Sequence, residues 1–211
     1  MHIRNLIAAL VLLAAVSVAP AQFGVPDAPT PSTLRDTSPL TPPAGARVAI
    51  IEFADLQCPG CAHANPYLMA VAAKYHIPWI RHDLLIPNHV WSRQAAIFAR
   101  WFDTQKEGLG DQYRNTVFEN QIYMLTYGML RAFTDKFASD NGLALPADAD
   151  PQGTFAAAIA ADGELAHRIG LTQTPSIFVV TSGSKSLPFI QVKDAAILDQ
   201  VVAQALADTA Q

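Results

Sequence analysis

The stretch EFADLQCPGCAHANP, residues 52–66, decides how this sequence is interpreted, because it contains the only two cysteines among 211 residues. Cys58 and Cys61 are separated by one proline and one glycine. Four roles are open for such a pair: metal ligands, a covalent haem attachment, a structural disulfide or a redox couple. The residues around the pair distinguish between these roles.

Three of the four roles fit the surrounding residues poorly. A structural zinc site takes four ligands, so histidines from elsewhere in the chain would have to complete it. Covalent haem requires a histidine directly after the second cysteine, and this chain has Ala62 there. A disulfide between Cys58 and Cys61 would close a very short loop, which stabilises a fold little. A redox couple is therefore favoured, and a zinc site and an inert pair stay open as alternatives.

The position of the pair also favours thiol chemistry. The apolar run RVAIIEF (47–53) predicts a strand, and a helix is predicted from the cysteines to about Tyr75. The N-terminus of a helix stabilises a thiolate. We therefore predict that Cys58 is the sulfur that attacks or is attacked and that Cys61, three residues later on the same helix face, resolves the mixed disulfide.

The remaining pattern predicts one α/β domain that contains a block of helices. Strands are predicted at 47–53, 77–83, 175–181 and 188–192, and helices over most of 91–142, at about 154–169 and at about 195–207. The order is β-α-β, a helical block, then α-β-β-α. The first strands fit a parallel crossover and the last two fit a hairpin, which gives a four-stranded sheet with a helical insertion.

The start of the chain predicts export. Arg4, an apolar run over 6–18 and a small-residue site over 19–21 have the order of a secretory signal, so residues 1–21 are predicted to be a signal peptide. The apolar run is shorter than the roughly 20 residues that span a bilayer. We expect a periplasmic or extracellular protein; a membrane anchor formed by residues 6–18 is the alternative.

A proline-rich stretch separates this signal from the domain. Residues 22–44 contain six prolines, which predicts an extended linker. We place the domain at 45–207 and the helical insertion at about 88–153. The net charge is −4 and no long basic run is present, which argues against binding to nucleic acid or to an anionic membrane surface.

These motifs together resemble the DsbA-like members of the thioredoxin superfamily. IEFADLQCPGC (51–61) is similar to that family's strand, loop and Cys-x-x-Cys, and Pro66 matches the proline that kinks its active-site helix. GLTQTPSIFVV (170–180) resembles the segment that carries the fold's cis-proline. The resemblance implies an α/β thioredoxin-like fold with a DsbA-like helical insertion and a thiol–disulfide oxidoreductase. It implies no cofactor beyond the Cys58–Cys61 disulfide and no metal.

The resemblance also assigns roles to individual residues. Glu52 takes the place of a buried acid that exchanges protons with Cys61, and burial should raise its pKa; a solvent-facing strand residue is the alternative. Thr174 and Pro175 would form the substrate-binding loop, with a cis bond that leaves the Thr174 backbone free to pair with an extended substrate.

Pro59 and Gly60, between the cysteines, would tune the redox potential. Gly60 stands where strongly oxidising members carry a histidine that donates to the thiolate, so a milder oxidant is expected. Asp55 is expected to be a solvated loop acid, and His89 a loop or capping residue.

The expected activity is disulfide formation in exported proteins by a monomer. The expected partners are unfolded or extended exported proteins and a quinone-linked membrane protein that resets the cysteines. The alternatives are a disulfide isomerase or reductase, a non-enzymatic binding module with the same fold, and a metal carrier. The sequence supports the exchange chemistry better than its direction.

Overall fold

A computed structural model describes residues 34–183 and 187–209, so the predicted signal peptide lies outside the described residues. The strands and helices are β1 (Val48–Ala54), α1 (Pro59–Tyr75), β2 (Trp79–Asp83), α2 (Ser92–Gln105), α3 (Leu109–Asn120), α4 (Tyr127–Asp140), α5 (Thr154–Ile169), β3 (Ser176–Thr181), β4 (Phe189–Val192) and α6 (Leu198–Thr209). The predicted α/β fold class, with helices inserted between the second and third strands, is confirmed.

The strands form one sheet in the order β2-β1-β3-β4. β1 and β2 are parallel and are connected by α1, while β1 with β3 and β3 with β4 are antiparallel. The predicted crossover and hairpin are therefore both present. Since β1 is paired on both sides, the loop that follows it opens at the centre of the sheet, and that loop carries Cys58.

The central strand β1 is buried along its whole length. Side chains alternate between the two faces of a strand. Val48 and Ile50 pack in a cluster with residues of α1 and α6, and Ala49 and Phe53 pack in a second cluster with residues of α5. The same alternation places Glu52 on the face that α1 covers.

The inserted helices have an aromatic core of their own. The Phe102 ring packs at an angle against the Tyr113 ring and edge-to-face against the Phe137 ring, with centroids 4.8 and 5.0 Å away. The buried Tyr113 hydroxyl lies 2.7 Å from Thr134 Oγ1, so the polar end of this side chain has a partner. The insertion is thus a packed unit that holds its surface rigidly beside the sheet.

The prediction of near-continuous helix over 91–142 was wrong at two breaks. Gly108, with φ of 74°, separates α2 from α3. A 3₁₀ turn at Gln121–Tyr123 ends α3, and α4 begins only after Thr126, whose Oγ1 accepts a hydrogen bond from the Met129 backbone N–H at 3.2 Å. Apolar periodicity continued through the second break, whereas the cap at Thr126 sets the start of the new helix.

The predicted linker lies against the domain over its described part, from residue 34. Leu40 is buried beside Ile51 and Ile169, and the Arg35 backbone N–H donates to Ile169 O at 2.8 Å. These contacts tie the segment to the C-terminal end of α5. Among the described helices, none has both the length and the apolar character that a membrane span requires.

Candidate active site

The two cysteines lie at the N-terminus of α1. Cys58 is the residue before the helix and has an extended backbone, with φ of −78° and ψ of 120°. Pro59 occupies the first helical position, where the absence of an N–H costs nothing. The Cys58 side chain is at the edge of the surface, 8% exposed, whereas Cys61 is 0% exposed, and both are free thiols. One thiol is therefore within reach of a partner and the other is covered.

The surroundings shift the pKa values of the two thiols in opposite directions. The pKa of Cys58 is lowered to about 5, mainly by a hydrogen bond from the Cys61 thiol. Thr174 and the backbone N–H groups of Cys61 and Gly60 lower it further, whereas desolvation raises it. The same sulfur–sulfur hydrogen bond, together with burial, raises the pKa of Cys61. Cys58 is thus the stable thiolate of the pair and a good leaving group.

The loop before β3 packs directly on this helix turn. The Thr174–Pro175 peptide bond is cis, as expected. Cys58 Sγ lies 3.4 Å from Thr174 O, and a Cβ built on Gly60 would lie 3.1 Å from Pro175 Cδ. The structure therefore brings together the five residues that the sequence analysis placed around the thiol: Cys58, Pro59, Gly60, Thr174 and Pro175.

Glu52 lies inside the protein and not at a solvent-facing strand end. Its side chain is completely buried, and Oε2 accepts a hydrogen bond from Trp79 Nε1 at 3.1 Å. Desolvation raises the pKa of Glu52 to about 7, while the positive charge of Arg81 and the Trp79 hydrogen bond partly oppose the rise. Glu52 and Cys61 are near enough that the carboxylate charge helps to raise the pKa of the thiol.

A largely buried cation that the sequence did not indicate, Arg81, lies beside Glu52. Arg81 Nε lies 3.9 Å from Glu52 Oε2, and Arg81 Nη2 donates to Asn65 Oδ1 at 3.0 Å and Asn115 Oδ1 at 2.9 Å. The guanidinium also lies over the Trp79 ring, 3.6 Å from its centroid. The two-residue alternation of β2 was the available signal, since it puts Trp79 and Arg81 on one face. Only the strand register shows that this face meets Glu52.

The expectation that Asp55 is solvated was wrong. Asp55 is 1% exposed, and its carboxylate accepts the backbone N–H groups of Gln57 at 2.7 Å and Ile86 at 2.8 Å. His89 Nδ1 lies 3.0 Å from Asp55 Oδ2. Asp55 therefore ties the loop that carries Cys58 to the segment between β2 and α2, and the histidine belongs to the same junction.

Comparison with known proteins agrees with this arrangement. A family model described as Thioredoxin matches residues 43–184. The chain belongs to the thioredoxin family. A comparison with curated proteins found no match.

Solved structures of DsbA-type proteins share the fold of this thioredoxin-family chain over most of its length. A double alanine variant of Wolbachia pipientis α-DsbA1 is 18% identical, with a TM-score of 0.61 over 87% of this chain and 94% of that one. Pseudomonas aeruginosa DsbA2 is 18% identical, with a TM-score of 0.57 over 79% and 90%. Bacillus subtilis BdbD is 16% identical, with a TM-score of 0.59 over 84% and 97%. The fold of this thioredoxin-family protein is therefore DsbA-like.

In this thioredoxin-family protein the helical insertion contacts the cysteine loop directly. Gln121, in the 3₁₀ turn after α3, donates from Nε2 to Leu56 O at 2.7 Å and to Cys58 O at 3.1 Å. The Trp91 backbone N–H donates to Gln57 Oε1 at 2.9 Å. Sequence reasoning missed Gln121, because a polar residue at the end of a helix carries no signal for a contact 63 positions away.

Exposed apolar side chains surround these contacts. We call Val90, Ile122, Tyr123 and Leu125 the apolar rim; each is between 66% and 75% exposed. Val90 precedes Trp91, and Ile122 follows Gln121, so the rim flanks the cysteine loop on its insertion side. Apolar side chains exposed together typically mark a surface that binds another chain.

Across residues 34–183 and 187–209, no three His, Cys, Asp or Glu side chains are grouped so that they could hold a metal ion.

Proposed function

We propose that this chain is an exported thiol–disulfide oxidoreductase that forms disulfides in other exported proteins. The main support is that the pKa values of the two thiols are shifted in opposite directions, lowered for Cys58 and raised for Cys61. The Cys58 sulfur also lies beside the Thr174–Pro175 loop. This asymmetry gives one cysteine the properties of an attacked and leaving sulfur and the other those of a resolving thiol. Membership of the thioredoxin family supports the same chemistry.

The reaction starts from the Cys58–Cys61 disulfide. A substrate thiolate attacks Cys58 Sγ, the sulfur–sulfur bond breaks, and Cys61 leaves as a thiolate that takes up a proton. A second substrate thiolate then attacks the substrate sulfur of the mixed disulfide and releases the Cys58 thiolate. The substrate loses two electrons and gains a disulfide, while the cysteine pair gains both electrons and is reduced.

Glu52 would supply the proton in the first step. Cys61 is a poor leaving group as a thiolate because its pKa is raised, so its departure is easier when a proton is transferred to it. A carboxyl group with a pKa near 7 is half protonated at neutral pH and can both give and take that proton. Glu52 therefore acts on Cys61, the buried partner, and leaves Cys58 as the site of exchange.

The Cys58 thiolate supports oxidation of the substrate as the direction of electron flow. A stable thiolate favours the reduced form of the pair, which makes the disulfide an oxidant. Gly60 contributes no side-chain donor to that thiolate, so we propose a milder oxidant than one with histidine there. A quinone-linked membrane protein would return the pair to the disulfide by taking its two electrons. Reduction or isomerisation of substrate disulfides is the alternative that Gly60 favours.

The substrates would be unfolded or extended exported proteins. Thr174 lies beside Cys58 Sγ in a loop that a substrate strand could join through backbone hydrogen bonds. The apolar rim could hold the side chains that unfolded chains expose. These features support a protein substrate more than a small thiol, which would need neither surface.

The test combines turnover with a redox titration. The mature protein, with its cysteines oxidised, should introduce disulfides into a reduced, unfolded protein, and Cys58→Ser should abolish that activity. The potential of the pair, measured against glutathione, should lie above the roughly −270 mV of thioredoxin. A lower potential would favour the reductase alternative, and absence of turnover with a normal fold would favour the non-enzymatic module.

A further inference from the structure

We infer that Gln121 is a positioning residue for Cys58, holding the start of the active-site helix from the helical insertion. The inference rests on the proposed function for its catalytic meaning, but not for its structural basis. Gln121 touches no reacting atom, so it would act only through the backbone that carries the thiol.

The first support is that the insertion holds each residue of the segment 56–58. Gln121 binds Leu56 O and Cys58 O, and the Trp91 backbone N–H binds the Gln57 side chain. Trp91 is itself fixed, because its buried Nε1 donates to Met124 O at 2.7 Å, just after the 3₁₀ turn. The insertion therefore holds three consecutive residues that end at the thiol.

The second support is the role of the Cys58 carbonyl in the helix. This oxygen also accepts the Cys61 N–H at 3.1 Å and the Ala62 N–H at 3.2 Å, which are the first hydrogen bonds of α1. Gln121 thus supplies a third donor to the oxygen that anchors the first turn. The two α-helical N–H groups hold this oxygen from the helix side, and Asp55 holds the loop through its carbonyl, which accepts the Cys58 N–H at 2.9 Å. Gln121 is the donor that reaches the same oxygen from the helical insertion.

The consequence for chemistry follows from the geometry of this turn. The backbone N–H groups of Gly60 and Cys61 stabilise the Cys58 thiolate only while the sulfur stays aligned with them. Loss of Gln121 would leave the loop held by Asp55 and Trp91 but would free the Leu56 and Cys58 carbonyls to shift, so that Cys58 Sγ moves out of alignment. The thiolate would then lose part of its stabilisation, although no residue that contacts the sulfur had changed.

The test replaces Gln121 by methionine, which keeps the length and removes both donors. In Gln121→Met, the Cys58 pKa, measured from the ultraviolet absorbance of the thiolate against pH, should rise by roughly half a unit to one unit. The redox potential should become more reducing, because the thiolate of the reduced form is less stable. Gln112→Met, at an exposed glutamine of α3, is the matched control and should change neither value.

A second variant protects the test against misfolding. Gln121→Asn keeps a carboxamide but withdraws it by one methylene, so it should shift the pKa in the same direction. If both variants lower the melting temperature yet keep the wild-type pKa and potential, Gln121 is only structural and the inference is wrong. Failure of both variants to fold would overturn it likewise, since Gln121 would then be required by the fold.

The readouts also separate this inference from the proposed function. If the wild-type protein oxidises no substrate but the pKa still depends on Gln121, the proposed function fails and the positioning role stands. If the wild type is active and the Gln121 variants match it in pKa and potential, only the positioning role fails.

Discussion

Glu52 and Asp55 are buried acids three residues apart, and their surroundings differ in the number of hydrogen bonds they receive. Glu52 accepts one hydrogen bond at Oε2, and Oε1 has no hydrogen-bond partner in the described structure. Both oxygens of Asp55 accept backbone N–H groups. A buried carboxyl with few partners has a raised pKa and exchanges protons near neutral pH, as Glu52 does. A carboxylate with backbone partners at both oxygens instead holds two loops together.

The two acids thus divide the work: Glu52, on β1, has the properties of a chemical acid, and Asp55, in the loop that follows β1, is an architectural one. The strand end keeps Glu52 beneath the cysteines, and the Asp55 junction fixes the loop above it. The fold thus places more hydrogen bonds on the residue that must stay still. Four changes test whether the distinction holds.

Glu52→Gln should have the largest effect, on the pH dependence of stability. The folded-state pKa of Glu52, about 7, lies above its ordinary value of 4.5. The folded protein therefore binds the proton more tightly than the unfolded chain, so stability is fullest below pH 4.5 and falls as pH rises to about 7. The loss reaches roughly 3 kcal/mol, and the glutamine variant should lack it.

Urea unfolding of the oxidised protein at several pH values measures this effect, because the disulfide removes the thiol titrations. The disulfide also removes the Cys58 charge, but that charge is the smallest of the causes that act on the Glu52 pKa, and desolvation, the largest, remains. Glu119→Gln, at an exposed position of α3, is the control and should keep the wild-type pH dependence. Parallel stability curves for wild type and Glu52→Gln would mean that the carboxyl titrates normally and that the distinction from Asp55 is wrong.

Asp55→Ala tests whether Asp55 holds the two loops together. Its effect on the free energy of unfolding should be somewhat smaller than that of Glu52→Gln on the pH dependence of stability. The backbone N–H groups of Gln57 and Ile86 would lose their acceptor inside the protein, which should lower the free energy of unfolding by about 2 kcal/mol. Chemical denaturation at neutral pH gives this value. Asp140→Ala, which removes an exposed partner of Lys136, should cost at most about 0.5 kcal/mol. Equal losses in the two variants would remove the special role of Asp55.

The two acids also show what the sequence could and could not predict. Cys58, Cys61 and the strand before them form one contiguous pattern, so their roles and the fold class followed from spacing and a family resemblance. Glu52 was identified, but its partners were not, because Trp79 and Arg81 reach it through the register of a parallel strand pair. Register depends on the whole sheet and leaves no local sequence signal.

Asp55 and the break before α4 were misjudged for different reasons. Asp55 lies in a loop next to a turn, which usually means solvent, yet it is covered by Ile86, 31 positions later in the chain. The break before α4 arises at Thr126, inside a run whose apolar spacing continues. A contact between distant segments decides the first case and is not visible in a window of sequence. The second case is decided locally by the Thr126 cap, a signal that the continuing apolar spacing outweighed.

Gly60→His should change the redox potential of the Cys58–Cys61 pair. A Cβ at this position lies 3.6 Å from Cys58 Sγ, so an imidazole could donate to the thiolate and make the protein more oxidising. One unit of pKa stabilisation corresponds to roughly 30 mV. Gly60→Ala is the matched control, because it adds the same contact 3.1 Å from Pro175 Cδ without a donor. If alanine shifts the glutathione equilibrium as much as histidine does, crowding against Pro175 sets the potential, and the donor does not.

Arg81→Lys should have the smallest effect, and it asks whether charge or geometry controls Glu52. Lysine keeps the positive charge near the carboxyl but cannot lie flat over Trp79 while donating to two asparagine side chains. If the charge is what opposes the rise in the Glu52 pKa, lysine should change that pKa by less than about half a unit, whereas Arg81→Met should raise it further. Carbon NMR titration of the Glu52 carboxyl in the oxidised protein measures both.

Arg100→Lys is the control. This arginine pairs with Asp83 and Asp162, so its replacement should leave the Glu52 titration unchanged. A lysine variant as perturbed as the methionine variant would show that the guanidinium acts by holding Trp79 in place. Glu52 would then depend on an architectural contact of the same kind as Asp55, and the two acids would differ less than their hydrogen bonds suggest.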